Sequence, residues 1–188
     1  MTESSLIISD LLRKAGNLGY IGEDVSQLEH ALQTASLAKQ SGADREVILA
    51  ALLHDVGHYY EDTNPQMENV GTLNHEALGG KFLSTLGFSP RVVSLVQGHV
   101  PAKRYLVSTR VAYRKNLSPA SQRTLEFQGG LMSDGEIREF ESHPEFENLL
   151  KLRAWDDQAK IKGLNVPALD EYIPLMSGHL LATSQRKT

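Results

Sequence analysis

The stretch Ile48-Leu-Ala-Ala-Leu-Leu-His-Asp-Val-Gly-His58 runs from an apolar segment directly into a cluster of two histidines and an aspartate. Its apolar half predicts a buried helix that Asp44 caps and that closes at Gly57. A charged Asp55 side chain in such a place needs a partner, because an isolated buried carboxylate is costly. A cation bound by His54 and Asp55 together would be that partner, so the stretch indicates a metal site within a helical protein.

Helix signals occur on both sides of this stretch, whereas strand signals are scarce. Ser26-Gln-Leu-Glu29 predicts a capping box for a helix that runs to about Gln40 and ends at Gly42. Asn74 is expected to cap a later helix that ends near Gly87. Further helix starts are predicted at Ser89-Pro90, Ser118-Pro119, Ser133-Asp-Gly-Glu136, Pro144 and Pro167. The helix that starts at Pro144 is expected to stop at Gly163.

The spacing of these caps predicts one all-α domain, a helical bundle of roughly eight or nine helices. Residues 1–25 are expected to form an N-terminal helix and a loop, and residues 26–163 the helical core that holds the metal site. Residues 164–188 are expected to form a C-terminal helix and a polar tail. The segment from Tyr59 to Leu73 lacks periodicity and is expected to be a loop over the site.

The bulk composition excludes several classes of function. The 188 residues are 40% hydrophobic and 22% charged, which is ordinary for a soluble globular protein. The net charge of −4 offers no basic surface to a nucleic-acid backbone, so we expect no nucleic-acid partner. The absence of cysteine excludes disulfides, thiolate zinc sites and cysteine nucleophiles. No apolar run is long enough to span a bilayer, and the N-terminus does not resemble a signal peptide, so we expect a cytoplasmic protein with no membrane partner.

Further histidines and a late pair of aspartates extend the candidate metal site. His30 lies in the helix that follows the capping box, His75 at the start of its helix, and His99 in the helix after that. One such histidine alone is usually structural, but their joint spacing around His54 and Asp55 indicates a site. Four imidazoles and two carboxylates are enough for two transition-metal ions that share one carboxylate.

The late carboxylate is either Asp156 or Asp157, and helical periodicity does not decide between them. One helical stripe contains Phe146, Leu149, Arg153, Asp156 and Lys160. The next contains Phe146, Leu150, Ala154, Asp157 and Ile161. The second stripe is more apolar, so periodicity by itself favours Asp157.

The order His…His-Asp…His…His…Asp resembles that of the HD-domain superfamily of all-α metalloproteins. In that superfamily the final ligand directly follows a hydrophobic or aromatic residue, which implies Asp156 after Trp155. The implied metal ligands are therefore His30, His54, Asp55, His75, His99 and Asp156. Most members are phosphohydrolases, and a smaller branch comprises diiron oxygenases.

A closer resemblance is to the phosphonate-oxidising, PhnZ-type members of the oxygenase branch. It extends from Tyr20-Ile-Gly-Glu23 to Trp155-Asp-Asp-Gln-Ala-Lys160, and it includes His58, where many other HD proteins carry lysine. The resemblance implies two iron ions, as a mixed-valent Fe(II)/Fe(III) pair, and O2 as co-substrate. It implies oxidative cleavage of the C–P bond of a small organophosphonate, 2-amino-1-hydroxyethylphosphonate or its N-trimethylated analogue, to phosphate and glycine or glycine betaine. Two alternatives remain open: a metal-dependent phosphohydrolase acting on a phosphate ester or nucleotide, and a non-catalytic sensor that retains the metal site.

A phosphonate is an anion, so its pocket needs positive charge and hydrogen-bond donors. Lys103 follows His99 by one helical turn, and the resemblance implies that it binds the phosphonate. The other substrate contacts that the resemblance implies are His58, Ser121, Gln128 and Arg153. In the resembling family a tyrosine gates the site by occupying an iron position until substrate arrives, which implies Tyr20. Glu23 has no basic residue near it in sequence, and the resemblance implies that it pairs with the substrate ammonium.

Overall fold

The computed structural model describes residues 1–16, 18–20, 22–58 and 72–186. Over these ranges the chain is all-α, which confirms the predicted fold class. The described part holds ten α-helices, α1 to α10, and a short 3-10 turn at Val56–His58. The helices are α1 Glu3–Ala15, α2 Gln27–Gln40, α3 Arg45–Leu53, α4 His75–Thr85, α5 Pro90–Thr109, α6 Val111–Asn116, α7 Pro119–Phe127, α8 Asp134–Glu141, α9 Phe146–Gln158 and α10 Leu169–Gln185.

Most of the predicted N-terminal caps are present. At α2 the Ser26 Oγ accepts from the Glu29 N–H at 3.1 Å, and Glu29 Oε2 accepts from the Ser26 N–H at 2.7 Å. Ser89, Ser118 and Ser133 cap α5, α7 and α8 in the same way, through their hydroxyl oxygens. These bonds satisfy backbone N–H groups that have no partner inside the helix.

The predictions for the start of α4 and for the end of α3 are wrong. Asn74 precedes α4 but has a left-handed backbone (φ 56°) and makes no side-chain cap bond. The helix α3 ends at Leu53 rather than at Gly57. His54 Nδ1 donates to the Ala51 carbonyl oxygen at 2.9 Å. If the helix continued, this oxygen would accept a hydrogen bond from a backbone N–H of the next turn, so the side chain replaces that bond.

The helix α9 is shorter than the predicted helix from Pro144 to Gly163, because α2 binds the residues that follow it. His30 Nδ1 donates to the Ala159 carbonyl oxygen at 2.8 Å. Gln33 bonds both backbone groups of Ile161, its Nε2 to the carbonyl oxygen at 2.7 Å and its Oε1 to the N–H at 3.1 Å. These contacts draw the chain away from the helix axis and place the end of α9 beside α2.

The centre of the fold is α3, in which every residue from Val47 to Leu53 is buried. It packs against α2, α5, α9 and α10. Because α3 is enclosed, its C-terminal end delivers His54 and Asp55 to the interior, where α2, α5 and α9 also contribute side chains. The predicted loop from Tyr59 to Leu73 lies outside the described residues, apart from its end at 72–73. Within the described part of the chain, no helix has both the length and the apolar character to cross a membrane.

Candidate metal centre

Four buried histidines from four different segments converge in two pairs. His30 Nε2 lies 3.1 Å from His54 Nε2, and His75 Nε2 lies 3.0 Å from His99 Nε2. His30 comes from α2, His54 from the end of α3, His75 from the first position of α4 and His99 from the middle of α5. All four side chains are nearly inaccessible to solvent.

Three of these histidines have their outer nitrogen, Nδ1, bonded to a backbone carbonyl oxygen. The acceptors are Ala159 for His30 at 2.8 Å, Ala51 for His54 at 2.9 Å, and Val96 for His99 at 2.7 Å. A carbonyl oxygen can only accept, so in the neutral ring the proton is on Nδ1 and Nε2 presents a lone pair to the centre. In the neutral rings, the Nε2 lone pairs of His30 and His54 face each other at 3.1 Å; they cannot bond to each other, but they can bind a metal ion placed between them.

The Asp55 carboxylate stands between the two histidine pairs. Its Oδ2 lies 3.3 Å from His54 Nε2 and 3.6 Å from His30 Nε2. Its Oδ1 lies 3.3 Å from His75 Nε2 and 3.4 Å from His99 Nε2. The described residues thus form two groups of potential metal ligands with Asp55 common to both, the arrangement that a bridging carboxylate requires.

Of the two late aspartates, the structure places Asp156 at the first histidine pair. Its Oδ1 is buried without a hydrogen-bond partner and lies 3.4 Å from His30 Nε2. Asp157 turns away, accepting from Tyr113 Oη at 2.6 Å and forming an ion pair with Arg153. Arg153 Nη1 also donates to Asp156 Oδ2 at 2.8 Å, which leaves Asp156 Oδ1 directed towards the histidines.

The charges of the centre fit a metal-binding role. Burial raises the pKa of Asp55, but His54, His75 and His99 together more than offset this and hold the pKa well below its ordinary value. Burial lowers the pKa of His54, and the Asp55 carboxylate reverses the effect and raises it to about 9. Burial also raises the pKa of Asp156, but the Arg153 guanidinium together with His30 and His54 outweighs this, so that the pKa lies well below the usual range. Two carboxylates among four imidazole rings form an N/O donor set of the kind that suits iron, manganese or zinc.

A glycine allows the second histidine pair to form. A Cβ on Gly57 would overlap the His75 carbonyl oxygen and would lie 2.8 Å from the Gly79 nitrogen. The 3-10 turn after Asp55 therefore packs directly on the backbone of α4. This contact brings His75 within reach of the Asp55 carboxylate.

A cavity with a volume of about 50 Å³ adjoins the centre, and all six predicted substrate-binding residues line it. Its walls include Tyr20, Glu23, His58, Lys103, Ser121, Gln128 and Arg153 from the sequence prediction, together with Asp55, His75, His99 and Asp156. The lining residues that the sequence did not predict are Val100, Ala120, Thr124 and Lys160.

Lys103 is a buried basic residue that lines this cavity. Its Nζ donates to Thr124 Oγ1 at 2.8 Å and to the Ser121 carbonyl oxygen at 3.5 Å. Burial lowers the pKa of Lys103 to about 7. A bound anion would favour the protonated form, so the lysine is well suited to bind one.

His58 presents a hydrogen-bond donor to the same space. Its ring stacks on His75 with centroids 3.8 Å apart, and its Nδ1 accepts from the Thr72 N–H at 3.1 Å. Burial lowers the pKa of His58 well below its ordinary value, so the ring is neutral. With Nδ1 as acceptor, the proton is on Nε2, which lies 3.9 Å from Asp55 Oδ1 at the edge of the cavity.

Tyr20 and Glu23, of the predicted gating loop, also line the cavity. The Tyr20 ring stacks on His30 with centroids 3.9 Å apart and planes inclined by 18°. Glu23 is not left for a substrate, because Lys160 Nζ donates to its Oε1 at 3.1 Å. Glu23 has no basic residue near it in sequence, and its partner in the fold is 137 positions away along the chain.

Comparison with known proteins gives a consistent group of relatives. The HD-domain family model matches residues 28–126. The chain is 48% identical to a hydroxymethylphosphonate dioxygenase of Gimesia maris, over 87% of this chain and 81% of that protein. It is 35% identical to a [1-hydroxy-2-(trimethylamino)ethyl]phosphonate dioxygenase (glycine-betaine-forming) of Leisingera caerulea, over 90% and 86% respectively. It is also 42% identical to an uncharacterized protein of Acanthamoeba polyphaga mimivirus, over 92% and 80%.

Proposed function

We propose that this chain, which belongs to the HD-domain family and within it to the group of the phosphonate dioxygenases, uses O2 to cleave the C–P bond of a 1-hydroxyphosphonate. Both named dioxygenases act on a phosphonate with a hydroxyl on the carbon next to phosphorus. Both names describe a dioxygenase of a 1-hydroxyphosphonate, which supports the same reaction class for this chain. The two substrates differ in the substituent on the carbon that carries the hydroxyl.

The reaction balances with one molecule of O2 and no further reductant. The C–H and C–P bonds of the substrate break, a C–O and a P–O bond form, and the four electrons released reduce O2. With 2-amino-1-hydroxyethylphosphonate the products are glycine and phosphate, and with its N-trimethylated analogue they are glycine betaine and phosphate. With hydroxymethylphosphonate they are formate and phosphate.

Two iron ions fit the residues that the structure brings together. We assign His30, His54 and Asp156 to the first ion, His75 and His99 to the second, and the Asp55 carboxylate to both. The imidazole and carboxylate donors suit a mixed-valent Fe(II)/Fe(III) pair, which supplies Lewis-acid and redox chemistry towards O2 when bound.

The side chains of the cavity bind and orient the substrate. Lys103 provides the positive charge for the phosphonate, with Ser121 and Gln128 as neighbours on the same wall. The Nε2–H of His58 is a donor to a substrate oxygen. Arg153 adds a second positive charge and fixes Asp156 through its 2.8 Å bond.

Tyr20 has a gating role in this proposal. Its ring covers the face of His30, so a substrate that approaches the first ion must displace it. Displacement by substrate would delay reaction with O2 until there is something to oxidise.

The single observation that carries the two-ion part of this proposal is the position of Asp55, with one carboxylate oxygen towards each histidine pair, and the reaction class is supported by the two dioxygenase relatives. The test is phosphate release from hydroxymethylphosphonate and from 2-amino-1-hydroxyethylphosphonate by iron-loaded protein, in air and without O2. We expect phosphate from at least one of them in air and none without O2. If neither gives phosphate in air, while a phosphate ester or nucleotide is hydrolysed equally well without O2, the protein is a phosphohydrolase instead.

A further inference from the structure

Resting on the assignment of an ion to His75 and His99 in the proposed function, we propose that Glu76 is a positioning residue for this second ion. When the ion is bound, the Glu76 carboxylate accepts a hydrogen bond from His75 Nδ1–H and so holds the opposite nitrogen, Nε2, towards the metal. Glu76 is not itself a metal ligand, and it acts on the ion through His75.

Two buried polar atoms at the start of α4 face each other without a hydrogen bond. Among the described residues, His75 Nδ1 and Glu76 Oε2 are both inaccessible to solvent and have no hydrogen-bond partner. They lie 3.6 Å apart, slightly farther than a hydrogen bond allows. Buried polar groups are nearly always bonded, so an unpaired donor beside an unpaired acceptor indicates a bond that forms in the working protein. A small rotation of the Glu76 side chain is enough to form it.

The position of His75 in its helix explains why it needs a side chain as its partner. His54 and His99 both donate from Nδ1 to the carbonyl oxygen three residues earlier, in the preceding turn of helix. His75 is the first residue of α4, so no helical turn precedes it to present such an oxygen. Glu76, the next residue of the chain, offers the acceptor instead.

Metal binding places the proton of His75 on the nitrogen that faces Glu76. A neutral imidazole has one N–H and one lone pair, and a metal ion takes the lone pair. His75 Nε2 lies 3.0 Å from His99 Nε2 and 3.3 Å from Asp55 Oδ1, so it is the nitrogen directed at the ion. The N–H is then on Nδ1, next to Glu76 Oε2.

The Glu76 carboxylate also brings negative charge to the half of the centre that has less of it. The first ion has Asp156 as a carboxylate of its own, whereas the described residues give the second ion the shared Asp55 and two imidazoles. A carboxylate that accepts from a metal-bound histidine raises the basicity of that ligand, and its loss typically weakens metal binding by about 10–100-fold. Glu76 therefore strengthens the binding of the second ion and not that of the first.

The test measures metal binding by the wild type and by the variants Glu76→Leu and Glu76→Gln. Ferrous iron is titrated into each protein by calorimetry without O2, and the dissociation constants of both ions are determined. Glu76→Leu removes the acceptor and should weaken the second ion by about 10–100-fold, while the first ion keeps its wild-type affinity. Glu76→Gln retains an oxygen that can accept but removes the charge, so its loss should be smaller.

A second readout follows the hydrogen bond itself and does not depend on activity. Zn(II) binds the same kinds of donor and is diamagnetic, so NMR of the Zn(II)-loaded, nitrogen-labelled protein shows which ring nitrogen of His75 carries the proton. We expect a protonated Nδ1 in the wild type, with its proton signal far downfield because it is bonded to a carboxylate. The signal should move upfield in Glu76→Gln, and in Glu76→Leu it should be lost by exchange with solvent.

Glu147→Leu is the matched control. Glu147 is also the second residue of its helix, α9, so its replacement removes the same favourable charge from a helix N-terminus. Its side chain is exposed and lies at the end of α9 away from Asp156. The control should bind both ions as the wild type does and should keep the wild-type signal of His75.

A Glu76→Leu protein that binds both ions with wild-type affinity, or that loses affinity for both ions equally, would overturn the inference. So would a His75 proton signal that is the same in Glu76→Gln and in the wild type, and this comparison decides if the leucine variant does not fold. These results leave the proposed function intact, because the wild type would still bind two ions. Failure of its two-ion part is distinct, since the wild type itself would then bind a single ion.

Discussion

Replacing Gly57 by alanine tests how the second half of the metal centre is held. The backbone of Gly57 requires no left-handed conformation, so the effect of the substitution comes from packing alone. The new Cβ would overlap the His75 carbonyl oxygen and lie 2.8 Å from the Gly79 nitrogen. Both are backbone atoms that cannot rotate away, so the 3-10 turn and α4 have to separate.

Overpacking of a fixed interior typically costs about 1–3 kcal/mol, and we expect Gly57→Ala at the upper end of that range. For a chain of this size the loss corresponds to a fall in Tm of roughly 5–10 °C. Because the separation moves His75 away from the Asp55 carboxylate, the variant should also lose the ion assigned to His75 and His99 while retaining the other.

The assay combines thermal unfolding with metal analysis of protein loaded with ferrous iron. Gly178→Ala is the control, since Gly178 lies inside α10 with nothing within 4 Å of a new Cβ. The free energy of unfolding of that control should rise by about 0.5–1 kcal/mol, because alanine is a better helix former than glycine. The control should also keep both ions. A Gly57→Ala protein with the wild-type Tm and both ions would refute the reasoning.

Three further predictions concern the same centre. Asp156→Ala should abolish activity and weaken one ion, whereas Asp157→Ala should leave metal content nearly intact; the reverse pattern in metal analysis would assign the ligand to Asp157. Lys103→Met should raise KM for every phosphonate alike. In the wild type, KM should rise as the pH increases past the Lys103 pKa of about 7, because the neutral amine no longer attracts the anion. A KM that does not change with pH over this range would contradict this role. Removal of metal with a chelator should lower Tm by roughly 5–10 °C, and added ferrous iron should restore it. The reason is that a metal ion present at a hundred times its dissociation constant stabilises the folded protein by about 2.7 kcal/mol. An unchanged Tm would mean that the buried ligands are stable without a cation.

The parts of the fold that local chemistry determines could be predicted from the sequence. The caps at Ser26, Ser89, Ser118 and Ser133 could be predicted because each uses a side chain within three positions of the backbone group it bonds. The end of α3 could not be predicted, because the bond from His54 to its own helix depends on where the imidazole is held.

Within the site, the candidate metal ligands could be predicted from the sequence pattern, but the hydrogen-bond and ion-pair partners of the site residues could not. The apolar stripe favoured Asp157, but the structure turns that carboxylate to Tyr113 and Arg153 and directs Asp156 Oδ1 towards His30. Periodicity predicts only which face of a helix is buried. The choice between these two adjacent carboxylates depends instead on their polar contacts in the folded protein, which periodicity does not predict. The Glu23–Lys160 pair joins residues that only the folded chain brings together.

The most direct test of the central claim is anomalous diffraction at the iron edge from crystals of protein loaded with ferrous iron. We expect one peak on each side of the Asp55 carboxylate. One should lie beside His30, His54 and Asp156, and the other beside His75 and His99. A single peak, or two peaks of which one has no contact with Asp55, would contradict it.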